Sequence, residues 1–386
     1  MLIAVIAGAG FIWNLLRAPL RSPAPQPIAE RGGLPSTEDT VEKEVGPAIE
    51  VIAENLQIPW EIAFLQEGDL LVTERPGTLR RIGKVSKTYA IPGVANVGEG
   101  GLLGLALHPK FAENRWLYLY HTVEVGGRFL NRVVRYRLSG DELTERTIII
   151  DGIPGATVHD GGRIAFGPAS APDGASAGKP DYYLYITTGD AGNAGLAQDT
   201  RSLAGKILRV RDDGSIPEDN PFGNAVWSYG HRNPQGLAWD EKGRLWSTEH
   251  GRSGVLSGLD ELNLIEKGKN YGWPVIQGDE TRPGVESPVI QSGPKVTWAP
   301  AGAAYGNGSI FFGGLRGQAL YEAKIVGERE VRLRTHLEKE FGRIRAVRLG
   351  SDGLLYMTTS NTDGRGKPRP GDDKIIRVDP RMFGGP

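Results

Sequence analysis

The stretch PQGLAWDEKGRLWSTEHG, residues 234–251, decides the fold. A Pro-led turn opens it, a short apolar run follows, a polar turn interrupts, and a second apolar run ends near Thr and Glu. Two strands of four or five residues joined by such a turn form a hairpin too small to bury its own face. The same pattern returns in PWEIAFLQEGDLLVTE (59–74), GLLGLALHPKFAENRWLYLYHT (101–122), GGRIAFGP with PDYYLYITTGD (161–190), AGAAYGNGSIFFGG (301–314) and IRAVRLGSDGLLYMTTS (344–360). Corresponding positions Ile62, Leu105, Ile164, Leu237, Ala303 and Ala346 lie 43, 59, 73, 66 and 43 residues apart. Repeated hairpins that must bury their faces on one another, at a basic period near 40 residues, predict an all-β, six-bladed β-propeller over residues 47–380. No long 3.6-period apolar pattern supports an α/β sheet. The glycine-rich GEGGLLG at 98–104 lacks the G-x-G-x-x-G spacing and a following helix, which argues against a dinucleotide site.

Composition agrees. Glycine at 55 and proline at 26 of 386 residues fall between short apolar runs, as turns joining many strands require. Forty-five basic and 46 acidic residues leave a net charge of -1 with no basic block, so nucleic acid is not an expected partner. Cysteine is absent, which excludes a disulfide framework, a thiolate metal site and a cysteine nucleophile. Residues 2–16, LIAVIAGAGFIWNLL, have the length of a signal-peptide core. Residues 1–20 are therefore expected to export the chain or anchor it to a membrane, with 21–46 as a Pro- and Ser-rich linker.

In a propeller, the loops leading into the innermost strands gather at one end of the central channel. Polar residues just before each apolar run are then the site candidates. The fourth repeat offers His231, Arg232 and Asn233 in YGHRNPQGLA, followed by Glu249 and His250. The third offers His159, Asp160 and Arg163, with Asp190 at the end of TTGD. His159 is the candidate base, because imidazole titrates near neutrality and the two glycines after Asp160 allow a ligand close to the backbone. Arg343 and Arg345 point to one face of the last repeat and Arg348 to the other. With Arg316 they form a cationic cluster that calls for a small polycarboxylate or phosphate. Asp260 and Glu261 are an oxygen-ligand source for Ca²⁺.

Together with HDGGRIAFGP, LAGKILRV, DELNLI, GKNYGWP and DGRGKPRPGDDKIIRV, these motifs resemble the soluble quinoprotein aldose dehydrogenases, from about Glu50 to Asp379. The resemblance implies pyrroloquinoline quinone (PQQ) in the channel mouth with Ca²⁺ polarising it. His159 would take the proton of the sugar C1 hydroxyl as hydride passes to the quinone C5 carbonyl. Asp190 would orient His159, and Arg232 would stabilise charge on the reduced oxygen. Asn233, Arg316, Arg343 and Arg345 would hold the cofactor. Carbonyls of Gly251 and Arg252 would bind the catalytic Ca²⁺, and Glu261 with the Tyr271 carbonyl a second, structural one.

The chain departs from that pattern at three cofactor-binding positions. Glu99 replaces a glutamine beside the quinone, where a carboxylate either repels the anionic cofactor or carries a proton. Arg316 replaces a lysine and His250 a glutamine. Short sugar-binding loops imply a substrate range different from strict glucose preference. The resemblance implies aldose sugars and a small-molecule or protein electron acceptor as partners, for a monomer or homodimer. A calcium-dependent propeller lactonase or esterase, and a non-catalytic binding propeller, are the alternatives. The paired Arg343 and Arg345 favour the quinoprotein, since a neutral lactone needs no cluster of cations.

Overall fold

A computed structural model describes residues 48–168, 182–253 and 257–384. The predicted signal or anchor segment and the linker lie outside the described residues. Among the described residues β1 (Ile49–Ala53) comes first and the sheets follow in order. Blade 1 holds β2 (Pro59–Phe64), β3 (Leu70–Glu74), β4 (Thr78–Ile82) and β5 (Lys87–Ala90); blade 2 holds β6 (Leu102–Leu107), β7 (Trp116–Val125), β8 (Arg128–Ser139) and β9 (Glu142–Pro154). Blade 3 holds β10 (Ile164–Pro168), β11 (Tyr182–Thr188), β12 (Lys206–Val210) and β13 (Val226–Tyr229); blade 4 holds β14 (Pro234–Trp239), β15 (Leu245–Glu249), β16 (Glu261–Ile265) and β17 (Ile290–Gln291). Blade 5 holds β18 (Pro300–Gly306), β19 (Ser309–Gly314), β20 (Ala319–Ile325) and β21 (Val331–His336), and blade 6 contributes β22 (Ile344–Leu349), β23 (Leu355–Thr359) and β24 (Ile375–Val378).

The fold is the predicted six-bladed propeller, with six antiparallel four-stranded sheets. Each repeat read from the sequence supplies the first two strands of its blade. Blade 6 takes its fourth strand from the other end of the described chain: β1 pairs with β24, with Ile49 opposite Val378. The two ends of the ring are thus joined by backbone hydrogen bonds, which protects a sheet edge from open pairing.

Burial follows from the repetition. Six apolar clusters occupy the six junctions between neighbouring blades, such as Leu71, Leu79, Leu105 and Leu119 between blades 1 and 2, or Trp246, Leu262, Ile310 and Phe312 between blades 4 and 5. Each fully buried aliphatic or aromatic side chain there contributes about 1.5–3 kcal/mol of transfer free energy. No single blade holds a core of its own, so the ring stands as a unit.

The antiparallel meander fixes where the site lies. Loops entering the first strand of each blade and loops joining its second and third strands come to the same end of the ring. That end collects His159, Arg232 and Arg343 from the first kind of loop, and Asp190, His250 and Arg365 from the second.

Candidate active site

A cavity of about 520 Å³ opens at this end. Its wall includes Glu99, His159, Arg232, His250, Gly251 and Arg252, together with Asp260, Arg316, Arg343 and Arg365. Among the described residues the wall carries five guanidinium groups against two carboxylates. Such a wall favours an anionic occupant.

The candidate base is held from two sides. His159 Nδ1 lies 2.7 Å from Asp190 Oδ1. The Asp190 carboxylate also accepts the Gly192 N–H at 2.8 Å and Trp273 Nε1–H at 2.8 Å. Burial pushes this carboxyl up, but the His159 bond and the further donors outweigh it and hold it below its ordinary value. An ionised carboxylate only accepts, so the His159 proton sits on Nδ1 and Nε2 is the basic nitrogen. His159 itself has a left-handed backbone, φ +56°. For a non-glycine residue this conformation costs about 1–2 kcal/mol and is typical of functional positions. It is fixed by the His159 N–H, which donates to Glu99 Oε2 at 2.9 Å.

The local sequence explains the placement. Gly189 precedes Asp190 because a Cβ there would stand 1.8 Å from the His159 carbonyl oxygen, so only glycine lets the two loops meet. The two glycines after Asp160 have a different role from the expected ligand access. A Cβ on Gly161 would lie 2.6 Å from the Thr187 oxygen, and one on Gly162 would lie 2.7 Å from Leu103 Cδ1, so close packing between strands requires them.

Around the base, several buried polar atoms face no protein partner: Arg232 Nε, Asn233 Nδ2, His250 Nε2 and Arg252 Nε. Arg232 donates through Nη2 to Ser253 Oγ at 2.7 Å, and Asn233 Oδ1 accepts from the Gly161 N–H at 3.0 Å. Burial presses the His250 imidazole down to about 3, so it is neutral here. A buried unpaired donor costs about 1–3 kcal/mol, which a bound ligand can recover.

The cationic cluster is only partly as expected. Arg343 lines the cavity but donates to Asp363 Oδ2 through Nε at 3.1 Å and Nη2 at 2.8 Å. Arg345 lines an adjoining chamber of about 30 Å³ and lies 3.6 Å from the same carboxylate. The cluster thus has an internal anion, Asp363, before any ligand enters. Arg316 lines the cavity and donates to Ser257 Oγ at 3.0 Å. Arg348 points elsewhere, to Glu61, as predicted. Arg163 is no wall residue: it bonds Glu61 and the Gln235 carbonyl and stacks on Trp60, joining blades in the core.

Glu99 is ionised rather than protonated. Burial pushes it up, yet the bonds from Arg365 and from the His159 N–H bring it down to about 2. The Asp260 carboxylate accepts the N–H groups of Gly251, Trp298 and Ala299. Gly251 and Arg252 line both the cavity and a smaller adjoining chamber, and Glu261, Tyr271 and Glu249 line that chamber alone. Burial and the neighbouring Glu249 push the Glu261 carboxyl up to about 8.

Sequence reasoning missed Asp363, Arg365, Ser253 and Trp273. The first two follow the second strand of their repeat, in TTSNTDGR, as Asp190 does in TTGD and His250 in TEHG. That shared position was the available signal.

The solved structure of the PQQ-bound aldose sugar dehydrogenase of Streptomyces coelicolor is 41% identical, with a TM-score of 0.75 over 86% of this chain and 99% of that one. The aldose sugar dehydrogenase YliI of Escherichia coli is 33% identical over 86% of this chain and 93% of its own length. Quinoprotein glucose dehydrogenase B of Acinetobacter calcoaceticus is 34% identical over 59% of this chain and 52% of that protein. The glucose/sorbosone dehydrogenase family pattern matches residues 56–376, and the chain belongs to that family of oxidoreductases.

Proposed function

We propose that the protein is an exported, PQQ-dependent aldose dehydrogenase that oxidises the C1 hydroxyl of an aldose to the lactone and passes the electrons to an acceptor other than oxygen. One observation carries the reading: His159, bonded from behind by Asp190, stands on the wall of a cavity with five guanidinium groups against two carboxylates.

The residues fit PQQ, a planar tricarboxylate. Arg316 and Arg343 line the cavity and Arg345 the adjoining chamber, where they would hold the carboxylates, while Asn233 Nδ2 and Arg232 Nε are buried donors awaiting acceptors. His250 would pack beside the ring system as a neutral side chain. Gly251 and Arg252 would supply carbonyl ligands to Ca²⁺. The Glu261 carboxyl, destabilised as an anion by burial and by Glu249, suits a second divalent cation shared with the Tyr271 carbonyl. When bound, PQQ supplies the hydride acceptor and Ca²⁺ its Lewis-acid polarisation.

The chain's own groups do the rest. His159 Nε2 takes the C1 hydroxyl proton, while the bond from Nδ1–H to Asp190 fixes the tautomer and stabilises the imidazolium that forms. Burial lowers the Arg232 guanidinium from its ordinary value, with Asp190 and Glu99 acting against that shift, and its positive charge would lie beside the bound acceptor.

Reconstitution of the apo-protein with PQQ and Ca²⁺ should give aldose-dependent reduction of an artificial dye. Bound, chemically reducible PQQ without aldose-dependent dye reduction would overturn the proposal. Lactone hydrolysis with Ca²⁺ alone would replace it with the hydrolase alternative.

A further inference from the structure

Arg365 stands at the boundary of the site. Its Nη1 donates to Glu99 Oε1 at 2.7 Å, joining the loop that enters blade 2 to the loop between β23 and β24 in blade 6. Both residues line the mouth cavity and also the smaller chamber that holds Trp60, Arg75 and Arg345. The pair is therefore a bar between the two spaces.

Its two ends are unequally held. The second oxygen of Glu99 accepts the His159 N–H at 2.9 Å, its own N–H donates to the Thr157 carbonyl at 3.0 Å, and its side chain is 19% exposed. Before it, Gly98 has φ +55° and no room for a Cβ, which would lie 2.0 Å from the Thr157 oxygen, so the backbone carrying Glu99 is fixed. The Arg365 side chain is 58% exposed. By contrast, Asp363, the partner of Arg343, is 2% exposed and is shared with Arg345 and Ser360. A half-exposed guanidinium on one carboxylate changes partners at little cost, whereas one locked in a buried network does not.

We propose that Arg365 is a further anchor for a cofactor carboxylate and that Glu99 is its internal competitor. An entering carboxylate replaces Glu99 Oε1 on the Arg365 guanidinium, while Glu99 Oε2 keeps the His159 N–H and so keeps the base in place. Where the resemblance set a carboxylate at residue 99 against an anionic cofactor, Arg365 neutralises Glu99 in the free site, and its transfer to the ligand leaves Glu99 with the His159 N–H, so that Glu99 opposes binding without preventing it. This rests on the PQQ reading above.

The test is a binding measurement on the full chain, with no turnover involved. Apo-protein with saturating Ca²⁺ is titrated with PQQ, read by quenching of tryptophan fluorescence, for the wild type, Glu99→Gln, Arg365→Gln and the double variant. Thermal unfolding checks that each variant is folded. Releasing Arg365 from an ion pair of about 1 kcal/mol should make Glu99→Gln bind about fivefold more tightly. Arg365→Gln should weaken binding only about twofold in the wild type but about tenfold in the Glu99→Gln background. Unchanged or weaker binding by Glu99→Gln would overturn the proposal. An equal gain with and without Arg365 would also overturn it, by reducing Glu99 to a diffuse negative charge. Failure of the wild type itself to bind PQQ would remove the cofactor reading and this proposal together.

Discussion

Two histidine–carboxylate pairs lie close in the structure and differ in one respect. His159 Nδ1 sits 2.7 Å from Asp190, and His231 Nδ1 sits 2.8 Å from Glu249. The second pair even continues to Ser228 Oγ, 2.8 Å from His231 Nε2, so that serine, histidine and carboxylate stand in the order of a hydrolytic triad. Yet His231 and Ser228 are fully buried, and His231 stacks on Tyr271 with ring centroids 4.7 Å apart. Both of its nitrogens are engaged. The His159 side chain keeps 16% of its surface exposed and lines the cavity. Pair geometry alone does not make a base; a free nitrogen facing a ligand space does.

The sharpest way to break the comparison is to remove each histidine in turn. His159→Ala should leave PQQ binding and the unfolding midpoint near wild type while lowering kcat by about 10²–10⁴. His231→Ala should do the reverse, with turnover per folded molecule retained and stability lost. Steady-state dye reduction beside denaturant unfolding separates the two outcomes, and equal activity losses would dissolve the distinction.

The carboxylates give a second contrast. Glu249 accepts from His231, from the Arg232 N–H and from Asn263 Nδ2 inside the protein. Removing a buried charge partner of this kind costs about 3–5 kcal/mol, so Glu249→Ala should be visible first in urea unfolding. Asp190→Asn keeps the shape but offers His159 an amide, and should appear first in kcat as a lost tautomer preference.

A smaller effect comes from pH. Burial presses His250 from 6.5 to about 3, so the unfolded chain takes up a proton below pH 6.5 that the folded site refuses. The unfolded state binds more protons, hence this contribution to stability is lost as pH falls from 6.5 towards 3. Glu99, held at about 2, acts in the same direction below its ordinary 4.5. Asp160, which burial raises to about 7, acts oppositely: its contribution is present in acid and lost as pH rises through 4 to 7. His250→Gln should therefore flatten the loss between pH 7 and pH 5 by about 2 kcal/mol, as read from unfolding midpoints at the two values. An unchanged slope would place the acid sensitivity elsewhere.

The inner half of each blade was legible because its strands are buried on both faces and announce themselves as short apolar runs between turns. The outer strands were not. β21 reads VRLRTH and β9 ELTERTIIIDGIP, sequences that mix charged, polar and apolar residues at exposed positions and whose partners are set by the neighbouring strand rather than by their own pattern. Ring closure by β1 was equally invisible, since IEVIA says nothing of a partner more than 300 residues away. In the site, His159, Asp190, Arg232 and Asn233 could be singled out because they adjoin the repeated strands. Asp363 was open to the same reading as Asp190, since its partner Arg343 belongs to the same blade, whereas Arg365 could not be weighed, because its contact with Glu99 joins blade 6 to the loop entering blade 2 and exists only once the ring closes.

The central claim, that this ring oxidises an aldose at C1 with His159 as the base, is tested most directly by following dye reduction in the PQQ- and Ca²⁺-loaded protein with glucose and with glucose deuterated at C1. The account predicts slower turnover with the deuterated sugar, gluconolactone or its hydrolysis product in step with the dye, and loss of both signals in His159→Ala. Dye reduction without an isotope effect on the single-turnover rate, or with an intact rate in His159→Ala, would contradict it.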